Sequence, residues 1–270
     1  MMEKKTDDQL QLMRKAGLVV AEGLAAMIEA AKPGVTTAEV DAVGREVLAR
    51  HGATSNFLNY GAEYGIGFPG VACISVNDVL VHGIPDKRVL QDGDLVSIDF
   101  GAIVQGWHGD AARTIIVGEG SAEDRTLNLV TEEALWAGTR KMRPGRKVND
   151  ISKAIEKSIT SQGRFGILRE YTGHGIGRSM HMPPDVPNVR TFGRSAQLSV
   201  GTVLAIEPMV TNGGHRTLGL DDEWSVVSAD GSRGSHWENT VAITSKGIWV
   251  LTEPDGGEAR LGELFGPLAD

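Results

Sequence analysis

Hydrophobic residues recur with a helical period in four stretches of this chain, and the four form two similar pairs. The predicted helices run from about 7 toward 31, over 32–52, from about 123 to 141, and over 143–163. Thr6 and Gln9 match a capping box at the start of the first helix. In 32–52 and 143–163, a basic residue, Pro and Gly precede an amphipathic helix that ends at Gly. The second half of the chain therefore repeats the helical pattern of the first half.

Apolar runs and alternating patterns predict strands after each pair of helices, and these strands repeat as well. LQDGDLVSIDF aligns with LSVGTVLAIEP, so that Asp99 corresponds to Glu207. HGDAART aligns in the same way with HWENTVA, so that Asp110 corresponds to Glu238. Four carboxylates thus fall in register as two corresponding pairs, which favours an internal duplication.

The repeats define the expected organisation of the chain. We expect one catalytic domain over 1–270, whose two halves cover about 7–118 and 123–250. The length of 270 residues is compatible with a single large domain. A C-terminal tail at 253–270 lies outside the repeats, and we assign no function to it.

Composition and charge narrow the class of protein. Hydrophobic residues make up 41% and charged residues 23%, which is ordinary for a soluble globular protein. The formal net charge of -8 argues against a DNA-binding protein. Cys73 is the single cysteine, which excludes an intramolecular disulfide and a multi-cysteine zinc site. Because no apolar run has the length of a signal peptide or a membrane span, we expect a cytoplasmic monomer without a membrane partner.

The four repeated carboxylates are the first candidates for chemistry. A single Asp or Glu in a strand most often faces water. Asp99 and Glu207 lie instead in apolar runs typical of buried strands, where an unpaired charge is costly. A bound cation would offset this charge, and two divalent ions match four carboxylates. We expect Asp110 and Glu238 to bridge the two ions, with Asp99 and Glu207 each binding one from outside.

GHGIGRSMH, at 173–181, offers a nitrogen ligand. Its three alternating glycines would each cost a helix about 1 kcal/mol, which predicts a loop. A dinucleotide-binding loop is excluded by the glycine spacing, and because MPPDVPN follows where a helix would be needed. His174 would complete an oxygen-rich shell, which favours Mn(II), Fe(II) or Co(II), with Zn(II) as a further candidate.

At these residues the chain resembles the methionine aminopeptidases, specifically the short bacterial type I enzymes, over nearly its full length. The matching stretches are CISVNDVLVHGIP, DGDLVSIDFGAIVQGWHGDAART, YTGHGIGRSMH, GTVLAIEPMV and HWENT. The resemblance implies the α+β "pita-bread" fold, two pseudo-symmetric αβ halves with antiparallel strands around a dimetal site. It also implies a hydrolase that removes the N-terminal methionine from nascent proteins when the second residue is small.

The resemblance assigns roles to individual residues. It places the metal ligands at Asp99, Asp110, His174, Glu207 and Glu238. In that family the metals activate a water that attacks the first peptide bond, and the position of Glu207 serves as general base. The position of His181 polarises the scissile carbonyl, and that of His82 contacts the scissile amide. The methionine pocket of the family corresponds to Phe68, Cys73, Met180 and Trp224.

The chain departs from the family pattern in two places. Gly65 and Ile66 precede the Gly-Phe-Pro of the pocket loop, where many relatives carry an aromatic residue and a histidine. Asn239 follows the last ligand, where a histidine is common. Neither change affects a ligand, so we expect activity to survive. The remaining histidines receive no role: His51, His108, His215 and His236.

Two alternatives share the expected fold. Prolidases and other Xaa-Pro peptidases use the same five ligands but typically carry an extra N-terminal domain, whereas here the first predicted helix begins by residue 7. A non-catalytic binding module typically loses ligands, and all five are present. Type II methionine aminopeptidases have a substantial insertion between His181 and Glu207, which this chain lacks. The implied partners are nascent polypeptides, and contact with the ribosome would have to come from local surface charge.

Overall fold

The computed structural model describes residues 2–269 of the chain. Its helices are α1 (Asp7–Ala30), α2 (Thr37–His51), α3 (Ala122–Thr139), α4 (Val148–Thr160) and α5 (Glu258–Leu261), with a short 3-10 helix at Gly262–Leu264. Its strands are β1 (Thr54–Ser55), β2 (Ala72–Val76), β3 (Val79–Val81), β4 (Leu95–Val104), β5 (Trp107–Ile116), β6 (Gly166–Ile167), β7 (Gly173–Gly175), β8 (Met182–Val186), β9 (Val203–Ile206), β10 (Met209–Thr211), β11 (Thr217–Gly219), β12 (Val226–Ser228), β13 (Gly234–His236), β14 (Asn239–Ile243) and β15 (Ile248–Val250).

The four predicted helices are confirmed as α1 to α4. The capping box of α1 is present, because Thr6 Oγ1 accepts from the backbone N–H of Gln9 at 3.3 Å and Gln9 Oε1 accepts from that of Thr6 at 3.0 Å. Helix α2 ends at Gly52, whose φ of 59° places it in the left-handed region that glycine adopts readily. No helix within 2–269 is long and apolar enough to cross a membrane.

The strands form four antiparallel sheets over the described residues. The two larger sheets have the orders β2–β4–β5, with β1 beside the end of β4, and β15–β14–β9–β7–β8. The two smaller sheets have the orders β13–β10–β6 and β11–β12–β3. Helices and antiparallel sheets occupy separate segments of the chain, so the predicted α+β class is confirmed.

Each larger sheet has its own hydrophobic core. Helices α1 and α2 cover β2 and β4, with Met27, Val40 and Phe100 fully buried between them. The approach is close enough to require glycine, since a Cβ at Gly23 would lie 2.2 Å from the ring of Phe100. Helices α3 and α4 pack in the same cluster as β9, β14 and β15. The division into halves at 7–118 and 123–250 stays a prediction.

The prediction that GHGIG forms a loop is wrong in part. Gly173, His174 and Gly175 form strand β7, which pairs with β8 on one side and β9 on the other. The glycines permit this because the neighbouring backbones lie very close. A Cβ at Gly173 would be 2.4 Å from the carbonyl oxygen of Ala205, and one at Gly175 would be 2.5 Å from that of Pro183.

Candidate metal centre and active site

Two of the predicted ligands lie on neighbouring strands of the first sheet. The register of β4 and β5 pairs Asp99 with Ala112 and Gly101 with Asp110. Residues two apart on a strand share a face, so the two carboxylates are diagonal neighbours on one face of the sheet. The pairing of β4 with β5 is therefore sufficient to place both carboxylates on the same side of the sheet.

The other predicted ligands come from the second large sheet. Glu207 directly follows β9, and Glu238 directly precedes β14. Ile206 and Asn239 form the last pair of the β9–β14 ladder, so both glutamates lie one step beyond it. His174 lies on β7, on the other side of β9. The five predicted ligands therefore meet where the two sheets face each other.

Hydrogen bonds join the two sheets at the ligands themselves. The backbone N–H of Asp110 donates to Thr240 Oγ1 at 3.0 Å, and that hydroxyl donates to the carbonyl oxygen of Asp110 at 2.8 Å. The backbone N–H of Glu238 donates to the carbonyl oxygen of Ala112 at 3.0 Å. The spacing between the backbones of Asp110 and Glu238 is consequently fixed by hydrogen bonds between the two sheets.

The four carboxyl groups are shielded from solvent and interact with one another. Asp110 is 3% exposed and Glu238 is 2% exposed. Burial raises the pKa of Asp110 to about 7. Burial also raises the pKa of Asp99, Glu207 and Glu238, and the charge of Asp110 raises all three further. Such a cluster binds protons or cations strongly.

The donor set fits a metal centre. Three buried carboxylate oxygens have no hydrogen-bond partner among residues 2–269: Asp99 Oδ1, Asp110 Oδ1 and Glu238 Oε1. Unpaired buried carboxylate oxygens are costly unless a cation lies beside them. Two groups have their donor atoms within 4.8 Å of one another, namely Asp110, His174 and Glu238, and Glu207, His236 and Glu238. Glu238 belongs to both groups.

His174 is held in the form that can bind a metal. Its Nδ1 lies 2.9 Å from the carbonyl oxygen of Gly175, which can only accept, so Nδ1 carries the proton. Nε2 therefore presents its lone pair, 3.5 Å from Glu207 Oε1. Burial lowers the pKa of His174 to about 4, so the ring is neutral at neutral pH.

His236 is a site residue that the sequence analysis gave no role. Its Nε2 lies 3.5 Å from Glu207 Oε2 and 3.9 Å from Glu238 Oε2, and the residue is 3% exposed. Burial lowers its pKa to about 3. His236 lies two residues before Glu238, and this spacing was a signal in the sequence. The direction of the two side chains could not be predicted from it, because regular alternation breaks down at an irregular strand end.

The two predicted catalytic histidines line the same cavity as the carboxylates. The rings of His181 and His174 meet edge to face with centroids 4.4 Å apart. His82 adopts a φ of 57°, a left-handed conformation that is uncommon outside glycine and frequent at functional sites. Burial lowers the pKa of both His82 and His181, to about 4 for His82, so both rings are neutral at neutral pH.

The residues predicted to form a methionine pocket lie together in the structure, and their role in binding methionine stays a prediction. Phe68, Cys73 and Met180 pack together with Phe57, and Trp224 lies against them partly exposed. The rings of Phe68 and Trp224 meet edge to face at 5.4 Å. These residues and the carboxylates line one cavity of about 520 Å³. The sequence analysis missed Phe57 and Tyr60, which also line it.

The unusual pocket loop lies at the rim of this cavity. Trp224 Nε1 donates to the carbonyl oxygen of Ile66 at 2.9 Å, which ties the loop to the pocket wall. Gly65 and Ile66 line a second cavity of about 310 Å³, which shares Tyr60 and Trp224 with the first. The departure at Gly65 and Ile66 thus changes the rim of the pocket, not its base.

The remaining histidines do not line the cavity that holds the predicted ligands. His51 Nε2 contacts Glu22 Oε2 at 2.7 Å on the surface, and His215 is exposed. His108 Nδ1 contacts Asn56 Oδ1 at 2.9 Å. None of these three is among the residues that line the large cavity of the described chain.

Comparison with known proteins agrees with this geometry. Residues 11–245 match metallopeptidase family M24. The methionine aminopeptidase 1 of Mycobacterium tuberculosis is 47% identical over 255 residues, which cover 92% of this chain and 94% of that protein. The methionine aminopeptidase of Clostridium acetobutylicum is 45% identical over 249 residues, covering 92% and 97%.

Solved structures show the same fold. The methionine aminopeptidase of Thermotoga maritima superposes with a TM-score of 0.89 at 39% identity, covering 94% of this chain and all of that one. The prolidase of Pyrococcus horikoshii matches at a TM-score of 0.72 and 24% identity, and this chain covers 63% of its length. The prolidase therefore shows the fold alone, and the predicted pita-bread fold is confirmed. The chain belongs to metallopeptidase family M24, a family of metal-dependent hydrolases.

Proposed function

We propose that this protein is a metal-dependent aminopeptidase that removes the N-terminal methionine from newly made polypeptides whose second residue is small. One observation carries the proposal: the apolar pocket of Phe68, Cys73 and Met180 opens directly onto the carboxylate cluster, within a single cavity of about 520 Å³. The high identity to methionine aminopeptidases supports the same conclusion.

The pocket suits a methionine side chain. A thioether is flexible and polarisable, and it makes favourable contacts with aromatic rings. Phe57, Phe68 and Trp224 supply such rings, and Met180 adds an adaptable apolar wall. Because the carboxylates lie at the opening of the pocket, a side chain inside it places its own peptide bond beside them.

The proposed centre holds two divalent ions through Asp99, Asp110, His174, Glu207 and Glu238. Four carboxylates and one imidazole favour Mn(II), Fe(II) or Co(II), with Zn(II) as a further candidate. When bound, the ions lower the pKa of water toward neutrality and polarise the carbonyl of the peptide bond. The three unpaired carboxylate oxygens support this assignment.

The chain's own residues supply the remaining chemistry. Glu207 acts as general base and accepts a proton from the attacking water. His181 donates a hydrogen bond to the carbonyl oxygen as negative charge develops there. His82 contacts the scissile amide. Since burial keeps both rings neutral, each retains one N–H to donate.

The proposed setting follows from the substrate. Newly made polypeptides are the partners in this proposal, the ribosome surface is the proposed docking site, and the enzyme works in the cytoplasm as a monomer. DNA and membranes are not partners in this proposal. The net charge of -8 supports the exclusion of DNA.

Metal-stripped protein provides the test. Mn(II), Fe(II) or Co(II) is added back separately, and release of the first residue is measured with Met-Ala-Ser, Met-Leu-Ser and a peptide with proline second and another first residue. We expect metal-dependent cleavage of Met-Ala-Ser alone. Cleavage of only the proline peptide would establish the Xaa-Pro alternative, and metal binding without cleavage of any peptide would establish a binding module.

A further inference from the structure

We propose that Tyr60 is a positioning residue for His181: its phenolic hydroxyl donates to Nδ1 and so holds the ring as the tautomer that carries its proton on Nε2. This inference rests on the proposed function, which requires an N–H donor at His181. It adds a residue to the proposed machinery that neither the sequence pattern nor the comparisons assign.

The contact is short and defined. Tyr60 Oη lies 2.7 Å from His181 Nδ1. The two rings meet edge to face, with centroids 5.4 Å apart and an interplanar angle of 81°. On another side, His181 meets the ring of His174 with centroids 4.4 Å apart. His181 is therefore held between a proposed ligand and a tyrosine, with Nδ1 already engaged.

The proposed direction of this hydrogen bond, from the Tyr60 hydroxyl to Nδ1, decides where the proton of His181 lies. A neutral imidazole has one nitrogen that donates and one that accepts. A ring that accepts at Nδ1 must carry its proton on Nε2, which is then the donor available to a substrate oxygen. Burial raises the pKa of Tyr60, and the charge of Glu63 raises it further, so the phenol keeps its proton and can donate.

Tyr60 is itself held by the pocket loop. Its backbone N–H donates to the carbonyl oxygen of Phe57 at 2.8 Å, and its carbonyl accepts from the N–H of Phe68 at 3.0 Å. The tip of the same loop is tied by the bond from Trp224 to Ile66. The residues that form the methionine pocket thus also fix the hydroxyl that orients His181, as a preorganised site requires.

Tyr60→Phe is the direct test, because it keeps the edge-to-face ring and removes only the hydroxyl. Tyr64→Phe, in the same loop and 90% exposed, is the matched control. With Met-Ala-Ser, we expect Tyr60→Phe to lower kcat about tenfold with KM, metal content and Tm unchanged. Tyr64→Phe should match the parent protein. A change confined to KM or Tm, or none, would overturn the positioning role.

The tautomer of His181 is measured independently of peptide cleavage. In the Zn(II)-loaded protein labelled with ¹⁵N-histidine, the parent should show His181 with an accepting Nδ1 and a protonated Nε2, assigned by comparison with His181→Gln. Tyr60→Phe should move the Nδ1 resonance. A parent spectrum with the proton on Nδ1 would refute the inference. If the parent fails to cleave Met-Ala-Ser, the proposed function fails separately, and the spectrum still decides how Tyr60 holds the ring.

Discussion

The guanidinium of Arg113 clamps the backbone of Glu238: Nη1 donates to its carbonyl oxygen at 2.5 Å. Nη2 donates to Asn239 Oδ1 at 2.8 Å and to Glu253 Oε1 at 2.6 Å. The cation also lies 5.2 Å from the ring centroid of Trp237. One side chain therefore contacts three consecutive residues centred on a proposed ligand. Asn239, where relatives often carry histidine, supplies the amide oxygen that Arg113 binds.

This contact predicts that Arg113→Ala weakens metal binding. The residues around a ligand set its orientation, and their loss typically costs about tenfold to a hundredfold in metal affinity. Titration calorimetry with Mn(II) measures the effect. Arg178→Ala is the matched control, since Arg178 also lies over a tryptophan ring, that of Trp107, on the exposed surface. Equal affinities for Arg113→Ala and the parent would contradict a supporting role.

Asp99→Asn should stabilise the metal-free protein and at the same time abolish its activity. The change removes one acidic group from a cluster that burial and mutual repulsion make costly to ionise, so the metal-free protein should gain about 1 kcal/mol or more in free energy of unfolding. Peptide cleavage should be abolished, because a proposed ligand is lost. Urea unfolding of metal-free protein and the Met-Ala-Ser assay measure the two effects. The exposed Asp221→Asn should change neither, and a destabilised Asp99→Asn would argue against charge repulsion.

Metal affinity should rise from pH 6 to pH 8. Metal must displace protons from carboxyl groups whose pKa is raised, to about 7 for Asp110. His174 adds no pH dependence in this range, since its pKa is about 4. We expect about a tenfold gain in affinity per pH unit for each proton displaced. Calorimetry in buffers of different ionisation enthalpy counts the protons, and a flat profile would contradict the raised carboxyl pKa.

The raised carboxyl pKa values also determine how the stability of the metal-free protein changes with pH. A carboxyl group with a raised folded-state pKa stabilises the metal-free protein below its unfolded pKa near 4, and this contribution is lost as pH rises through the folded pKa. The increase in Tm on adding metal should therefore be larger at pH 8 than at pH 6. Thermal unfolding with and without Mn(II) at both pH values checks this.

Cys73 should react slowly in the folded protein. Burial raises the pKa of its thiol well above the ordinary value, and the charge of Asp99 raises it further, so little thiolate forms at pH 8. Iodoacetamide should alkylate it at least about tenfold more slowly than in urea-unfolded protein. Mass spectrometry follows the reaction. Methionine in the pocket should slow it again, and a rate equal to that of the unfolded chain would place Cys73 outside the pocket.

The proposed ligand positions stand out in the sequence for two local reasons, and their role as ligands stays a prediction. Asp99 and Glu207 stand out as charges in apolar runs, and strand alternation puts Asp99 and Asp110 on one face. His236 and Tyr60 were missed for the opposite reason. Their contacts join residues distant in the chain, such as Tyr60 with His181, and no periodicity encodes such a distance. Strand β7 was missed because its glycines were interpreted through the free energy that they would cost a helix. In the structure they instead allow the backbones of the neighbouring strands to lie close to β7.

The reciprocal bonds between Asp110 and Thr240 have a consequence for folding cooperativity. Because the two sheets exchange hydrogen bonds beside the proposed ligands, neither sheet completes the site alone. The amide hydrogens of Asp110 and Glu238 should then exchange with deuterium only through global unfolding, even while the exposed pocket loop opens. A metal bound at this site would hold distant parts of the chain together, and its removal would lower the free energy needed to separate them.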